Sequence, residues 1–148
     1  MKKHVGFTLI EVLIAVIVLA TGLLGFAGLQ ATSLKNNQSA FNRSQATQLA
    51  YDLADRIRAN SAAIATYTSI DPEDATEQAD CLTTTGCSKE EMAEHDLFEW
   101  NQVITNTLPG GAGTLTVTSG VYTISLTWDD DHDGDNNNNP NFQTSFQL

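Results

Sequence analysis

The sequence predicts an α+β fold, in which a long N-terminal helix packs its second half on a small antiparallel β-sheet, with one extra short helix. Three observations predict it. A long apolar stretch, residues 7–29, leads into a segment with apolar residues at helical spacing. A Ser-x-x-Glu capping box at Ser88 marks the start of a second helix. Alternating apolar and polar residues after residue 111 are typical of half-buried strands.

Composition and charge narrow the function classes. The 148 residues carry 7 Lys+Arg against 18 Asp+Glu, for a formal net charge of −11. Direct nucleic-acid binding is disfavoured, because neutralising phosphates requires clustered Lys and Arg. The sequence contains no H-E-x-x-H, G-x-S-x-G or phosphate-binding Gly-Lys motif, so we predict that the protein is not an enzyme.

Residues 7–29 form a candidate membrane span. About 20 apolar residues are enough to cross the ~30 Å hydrocarbon core as a helix. Lys2 and Lys3 precede the stretch, which predicts a cytoplasmic N-terminus and an exported remainder. Two simple interpretations are a plain membrane anchor and a secretory signal peptide that is cut near Gly25-Phe26-Ala27.

Glu11 is the single charged residue within this apolar stretch. A carboxylate in a bilayer helix costs roughly 2.5–3.5 kcal/mol on insertion scales. Neither a plain anchor nor a signal peptide explains why that cost is accepted. We therefore expect Glu11 to need a cationic partner, which another chain could supply.

Residues 6–11, GFTLIE, follow a short basic leader and precede the long apolar stretch. In this they resemble the signal of type IV pilins and pseudopilins. The resemblance implies that a prepilin peptidase cleaves between Gly6 and Phe7, removing leader residues 1–6, and that the new Phe7 amine is N-methylated. It also places Glu11 where the family carries a carboxylate. The Phe7 ammonium of one subunit would then neutralise Glu11 of its neighbour in the apolar filament core.

The first helix is expected to run from Phe7 to about Asn60, with residues 30–148 forming a periplasmic head that includes its amphipathic half. From residue 46 onwards the apolar residues recover helical spacing. The stripe consists of Ala46, Ala50, Leu53, Ile57 and Ile64, with Leu49 and Ala54 flanking it. Arg56 and Arg58 lie near the end of this helix, where cations interact favourably with the helix dipole.

Residues 61–87 are predicted to be irregular, and Cys81 and Cys87 to form a disulfide. Outside the cytoplasm nothing keeps two cysteines this close in sequence reduced. A zinc site and a catalytic thiol are the weaker alternatives, because no second Cys or His pair lies near them in the sequence.

The second helix is predicted to begin after Ser88 and to end at Pro109-Gly110-Gly111. Its apolar face is formed by Ala93, Leu97, Trp100, Ile104 and Leu108. His95 has acidic neighbours on this helix, and a solvated position is favoured over a general-base role.

Three strands are predicted after the second helix. Alternation in residues 114–118 and 122–128 around the turn Ser119-Gly120 indicates a hairpin. Residues 142–148 repeat the two-residue period at the C-terminus. Antiparallel strands laid on the second half of the long helix would bury both apolar faces.

The acidic loop after the second strand is the one candidate ligand site. Four aspartates at alternate positions, with Gly134 among them, match the first half of a calcium loop. They are Asp129, Asp131, Asp133 and Asp135. The position at which such loops carry a bidentate Glu is occupied by Pro140. Calcium binding and a solvated tip of Asp and Asn residues are both open on the sequence, and no other cofactor is predicted.

Several short stretches between the leader and residue 129 point to one type of pilin within this family. They are residues 43–46 (RSQA), 55–60 (DRIRAN), 96–100 (DLFEW), 108–113 (LPGGAG) and 126–129 (LTWD). These are similar to minor pilins of the PilV type, the type IV pilus modification proteins. The resemblance implies a minor pilin that primes pilus assembly and supports adhesion, twitching motility or DNA uptake. The implied partners are other minor pilins, the major pilin, prepilin peptidase, the inner-membrane assembly platform and a tip-associated adhesin.

The resemblance also implies a location. The chain would cross the inner membrane once with its head in the periplasm, and would then enter the extracellular pilus. Two alternatives stay open. One is a minor pseudopilin of a type II secretion system, which shares the same leader, and the other is a membrane-tethered calcium-binding or adhesive module that never enters a filament.

Overall fold

The structure is a computed structural model that describes residues 6–135 and 137–148. The basic part of the predicted leader, residues 1–5, lies outside the described residues. The chain forms two compact units, Met1–Ala40 and Phe41–Leu148, and each is considered by itself.

The first unit consists of the N-terminal part of helix α1, which spans Leu9–Ala59 and so falls within two residues of its predicted bounds. Every residue from Gly6 to Gln38 is exposed. Within the described residues, α1 is the one helix that is long and apolar enough to cross a membrane. The apolar side chains of residues 7–29 are therefore exposed in the single chain, and a membrane or other proteins would have to bury them.

The second unit begins with the amphipathic part of α1. Four residues of the predicted stripe are buried here, with Ala46, Ala50, Leu53 and Ile57 at 0% exposure. Ile64, the fifth, is half-buried and lies beyond the end of α1, at the start of the next short helix. Leu49 and Ala54 widen the buried face. These residues belong to a single hydrophobic core, which also contains buried side chains from residues 93–108 and 124–128.

The segment after α1 is more ordered than predicted. A 3₁₀ turn, Ser61–Ala63, leads into the short helix α2, Ile64–Ser69, and a second 3₁₀ turn spans Ala79–Leu82. The prediction of an irregular segment was therefore wrong for these residues. Tyr67 of α2 is fully buried in the core, and such a short helix is held by that packing rather than by helix propensity.

Helix α3, Lys89–Thr107, begins at the predicted capping box. The Ser88 hydroxyl accepts a hydrogen bond from the Glu91 backbone N–H at 3.2 Å, and the Glu91 carboxylate accepts one from the Ser88 N–H at 2.8 Å. All five residues of the predicted apolar face are buried.

The sheet has three antiparallel strands in the order β1-β2-β3. They are β1, Ala112–Thr118, β2, Val121–Thr127, and β3, Asn141–Phe146. The register pairs Leu115 with Ile124 and Ile124 with Thr144, so these residues share one face of the sheet. Ile124, Leu126 and Trp128 are buried, which makes this the core face.

Gly113 marks the closest approach between β1 and α3. A Cβ at this position would lie 2.5 Å from Cη2 of Trp100 and 2.7 Å from Cδ1 of Ile104. These separations are too short for any side chain, so the strand can cross the indole ring only where the residue is glycine.

We expect Gly113→Ala to lower the free energy of unfolding by about 1–3 kcal/mol, because the added methyl must displace a fully buried indole. Denaturant unfolding of the full chain in detergent measures this. Thr114→Ala, at an exposed position of the same strand, is the control and should change stability little. Equal stability of Gly113→Ala and the wild type would contradict the packing described here.

Candidate functional site

The residues predicted to be cleaved and methylated, Gly6 and Phe7, lie at an accessible position. Gly6 and Phe7 precede the first residue of α1, and Phe7 is 84% exposed. The Thr8 carbonyl accepts a hydrogen bond from the Glu11 backbone N–H at 3.1 Å, which closes the first turn. The bond between Gly6 and Phe7 therefore lies in exposed, non-helical backbone just before α1.

Glu11 is exposed on a face of α1 and lines one shallow surface groove with Phe7, which lies two residues before the helix. Apolar side chains surround it on that face, including Val12, Ala15 and Val16. Within residues 6–135 and 137–148, no side chain forms an ion pair with the Glu11 carboxylate. The chain thus presents one carboxylate on an otherwise apolar surface.

Cys81 and Cys87 are joined by a disulfide, with their Cα atoms 4.7 Å apart. The bond closes the loop of residues 82–86, which is exposed throughout. Because Cys87 directly precedes the Ser88 cap, the disulfide ties this loop to the start of α3.

Arg56 forms the centre of a charged cluster that joins α1 to α3. Its Nη1 atom donates to Asp96 Oδ1 at 3.0 Å and to Glu99 Oε2 at 2.8 Å. Its Nε atom donates to Asp52 Oδ2 at 2.9 Å. The sequence indicated only a dipole-compensating role for this cation, and its partners on α3 were not predicted.

Tyr67 completes this cluster from α2. Its hydroxyl donates a hydrogen bond to Asp96, so that both oxygens of this largely buried carboxylate are used. Burial of the phenol, together with the hydrogen bond to and the negative charge of Asp96, raises the pKa of Tyr67. Three helices therefore meet at a single carboxylate.

His95 is buried, at 6% exposure, so the prediction of a solvated position was wrong. Its Nδ1 atom accepts a hydrogen bond from the Gln78 backbone N–H at 3.2 Å, and Nε2 lies 3.5 Å from Glu99 Oε1. Beside it, the Glu94 carboxylate accepts from the backbone N–H and the hydroxyl of Thr76. The loop that holds Thr76 and Gln78 covers this face of α3.

The acidic loop brings three of the four predicted ligands together. One carboxylate oxygen from each of Asp129, Asp131 and Asp133 lies within 4.8 Å of the others. Asp135 is not part of this group, and its Oδ1 accepts from the backbone and side-chain nitrogens of Asn137. The structure therefore groups three of the four aspartates, and calcium binding by them stays a prediction.

Backbone donors already engage Asp129. Its Oδ1 accepts from the His132 N–H at 2.7 Å and its Oδ2 from the Gly134 N–H at 3.1 Å. Partial desolvation opposes ionisation, but the hydrogen bonds from Gly134, His132 and Asp133 outweigh it and lower the pKa of Asp129. These bonds shape the loop around the Asp129 carboxylate.

We expect Asp96→Asn to cost about 2–3 kcal/mol of the free energy of unfolding, because an amide cannot accept hydrogen bonds at both positions from Arg56 and Tyr67. The same change at Asp55 should cost less than about 1 kcal/mol, since Asp55 forms an exposed pair with Arg58. Urea unfolding of both variants in detergent decides this, and equal losses would contradict a structural role for Asp96.

Acid should destabilise the head through Glu99. The hydrogen bond from Arg56 holds the pKa of Glu99 below its ordinary value of 4.5, despite partial burial. A group whose pKa is lowered by folding stabilises the folded state above its unfolded pKa, and that contribution is lost as the pH falls through the folded pKa. We expect the Tm of the wild type to decrease as the pH is lowered below about 4.5. The Tm of Glu99→Gln should decrease less steeply over the same pH range. Parallel pH profiles of Tm for the two proteins would contradict this.

Comparison with known proteins bears on the N-terminal site and on the head. Residues 1–27 match the family model of the prokaryotic N-terminal methylation motif. Residues 28–98 match the family model of type IV pilin Tt1218. No curated protein and no solved structure matches the chain.

The long α1 packed on a small antiparallel sheet confirms the predicted α+β fold, and its exposed apolar stretch fits a membrane-anchored pilin. Residues 1–98 are therefore similar to the N-terminal methylation motif and to a type IV pilin, which supports a part in the assembly of a pilus or pseudopilus.

Proposed function

We propose that the chain is a minor pilin of the PilV type that takes part in priming the assembly of a type IV pilus. In this proposal a prepilin peptidase cleaves between Gly6 and Phe7, and the Phe7 amine is methylated. The head stays in the periplasm while residues 7–29 cross the inner membrane. The subunit then passes through the assembly platform into the filament, where it supports adhesion, twitching motility or DNA uptake.

The observation that carries this proposal is the lone carboxylate of Glu11 on an apolar helix face. Phe7 and Glu11 line one surface groove, and both are exposed. An isolated charge in an apolar core is costly, whereas a charge paired with an ammonium group is tolerated. The cationic partner would be the Phe7 amine of a neighbouring pilin, so assembly itself would satisfy both groups.

The PilV type is supported by the stretches that resemble it in sequence. Residues 55–60 and 96–100 provide Arg56, Asp96 and Glu99, the charged cluster that joins α1 to α3. Residues 108–113 include Gly113, where β1 passes over Trp100. These stretches therefore coincide with contacts that hold the head together. Such contacts support a shared head structure, and the assignment of the minor-pilin role rests on the resemblance.

A minor pseudopilin of a type II secretion system is the alternative within the same class. The two systems share the leader, so the N-terminal site favours neither. Deletion of the gene distinguishes them by phenotype. Loss of surface pili with normal exoprotein secretion supports the pilus assignment, whereas loss of secretion with intact pili supports the alternative.

We expect Glu11→Ala to leave leader cleavage intact and to reduce incorporation of the subunit into filaments. The carboxylate is needed only where a neighbouring amine must be neutralised, so processing of the single chain should not change. Immunoblots of membranes and of sheared filaments measure cleavage and incorporation separately. Thr21→Ala, at an exposed position farther along the same stretch, is the matched control. Normal incorporation of Glu11→Ala would remove the charge-pairing argument.

Calcium binding by the acidic loop is a second candidate function, favoured by the convergence of Asp129, Asp131 and Asp133. It predicts that calcium raises the Tm of the full chain at concentrations above about 0.1–1 mM, the range of Kd for weak extracellular sites. Asp131→Ala should abolish that rise. Asp74→Ala, which removes a carboxylate from another loop, should leave the rise unchanged. A Tm that does not respond to calcium would end this candidate and leave the minor-pilin proposal untouched.

A further inference from the structure

Strand β3 forms an open edge of the sheet. It pairs with β2 through six consecutive residues, from Asn141 opposite Thr127 to Phe146 opposite Tyr122. No strand of the described chain lies beyond it. In an edge strand, every second residue directs its backbone N–H and C=O groups away from the sheet, where they can pair with another chain.

This edge lacks the features that usually prevent such pairing. Natural edge strands are protected by lysine, proline, bulges or inward-pointing charges. Residues 141–146, NFQTSF, contain no charge, proline or glycine. The pairing with β2 is continuous, without a bulge. Beside β1, by contrast, the segment Thr68–Pro72 lines a cleft along residues 114–116, so the two edges of the sheet are not equivalent.

The end of the sheet at which β3 begins is strongly negative. Residues 129–135 carry five carboxylates, and no Lys or Arg occurs from residue 90 to the C-terminus. The Asn138 side-chain nitrogen lies 3.4 Å from a carboxylate oxygen of Asp131 and 3.4 Å from one of Asp133. These two exposed carboxylates are thereby held three residues before the start of β3.

We propose that the β3 edge binds an extended peptide segment of another protein, and that this segment carries Lys or Arg at the end that lies beside Asp131 and Asp133. Backbone hydrogen bonds to β3 would provide the affinity, and the carboxylates would select the charged end of the segment. A second copy of this chain does not fit. Lys89 is the one cation after Arg58, and it lies at the start of α3 rather than on a strand.

The test uses a short fluorescent peptide that begins with two lysines and continues with alternating threonine and valine. Binding to the full chain in detergent is measured by anisotropy. Two further peptides carry N-methyl groups on one or the other set of alternate residues. We expect one methylated peptide to bind and the other to lose binding, because an extended strand pairs through one edge only. Equal binding of both would show mere charge attraction and overturn the proposal.

Variants and amide exchange locate the bound peptide. Asp131→Asn with Asp133→Asn should weaken binding roughly threefold to tenfold, as expected for two exposed charge pairs. The matched pair Glu73→Gln with Asp74→Asn removes the same charge elsewhere and should leave binding unchanged. The alternate amides of residues 141–146 that point away from β2 should gain protection from hydrogen exchange when the peptide binds. Equal effects of the two double variants, or protection confined to β1, would overturn the proposal. None of these readouts depends on assembly into a filament.

Discussion

The packing of large side chains over the amphipathic half of α1 is the interaction on which the rest of the head depends. This face of α1 offers small residues, Ala46, Ala50 and Ala54, all essentially inaccessible to solvent. They leave room for Trp100, whose indole N–H donates to the Leu49 carbonyl at 2.8 Å. Gly113 in turn lets β1 pass over the same indole ring. One aromatic side chain thus links α1, α3 and the sheet.

The N-terminal part of α1 obeys the opposite constraint. None of its residues from Gly6 to Gln38 is buried, although most of its side chains up to residue 29 are apolar. Such a surface is stable only in lipid or against other apolar helices. In our proposal the chain meets both surroundings in turn, and Glu11 is the group for which the two differ. Its charge is a cost in the membrane and, in our proposal, a point of recognition in the filament.

Patterns within single segments of the sequence predicted most of the helices and strands. The features that were not predicted depend on contacts between residues far apart in the sequence. Periodicity and the Ser88 cap predicted α1, α3 and the strands, because these signals lie within each element. His95 lies away from the apolar face of α3, and a loop that shows no periodicity covers it. Arg56 finds its α3 partners forty and forty-three residues later, a separation at which sequence patterns carry no information. Alternation suggested four converging aspartates, whereas Asp135 turns towards Asn137.

The most direct test of the assignment is the N-terminus and intact mass of the chain isolated from membranes with and without active prepilin peptidase. The assignment predicts a chain that starts at methylated Phe7 only when the peptidase is active, and a chain that retains residues 1–6 when it is not. A chain that still starts at Met1 in the presence of the peptidase, or one that is cut near Ala27, would contradict it.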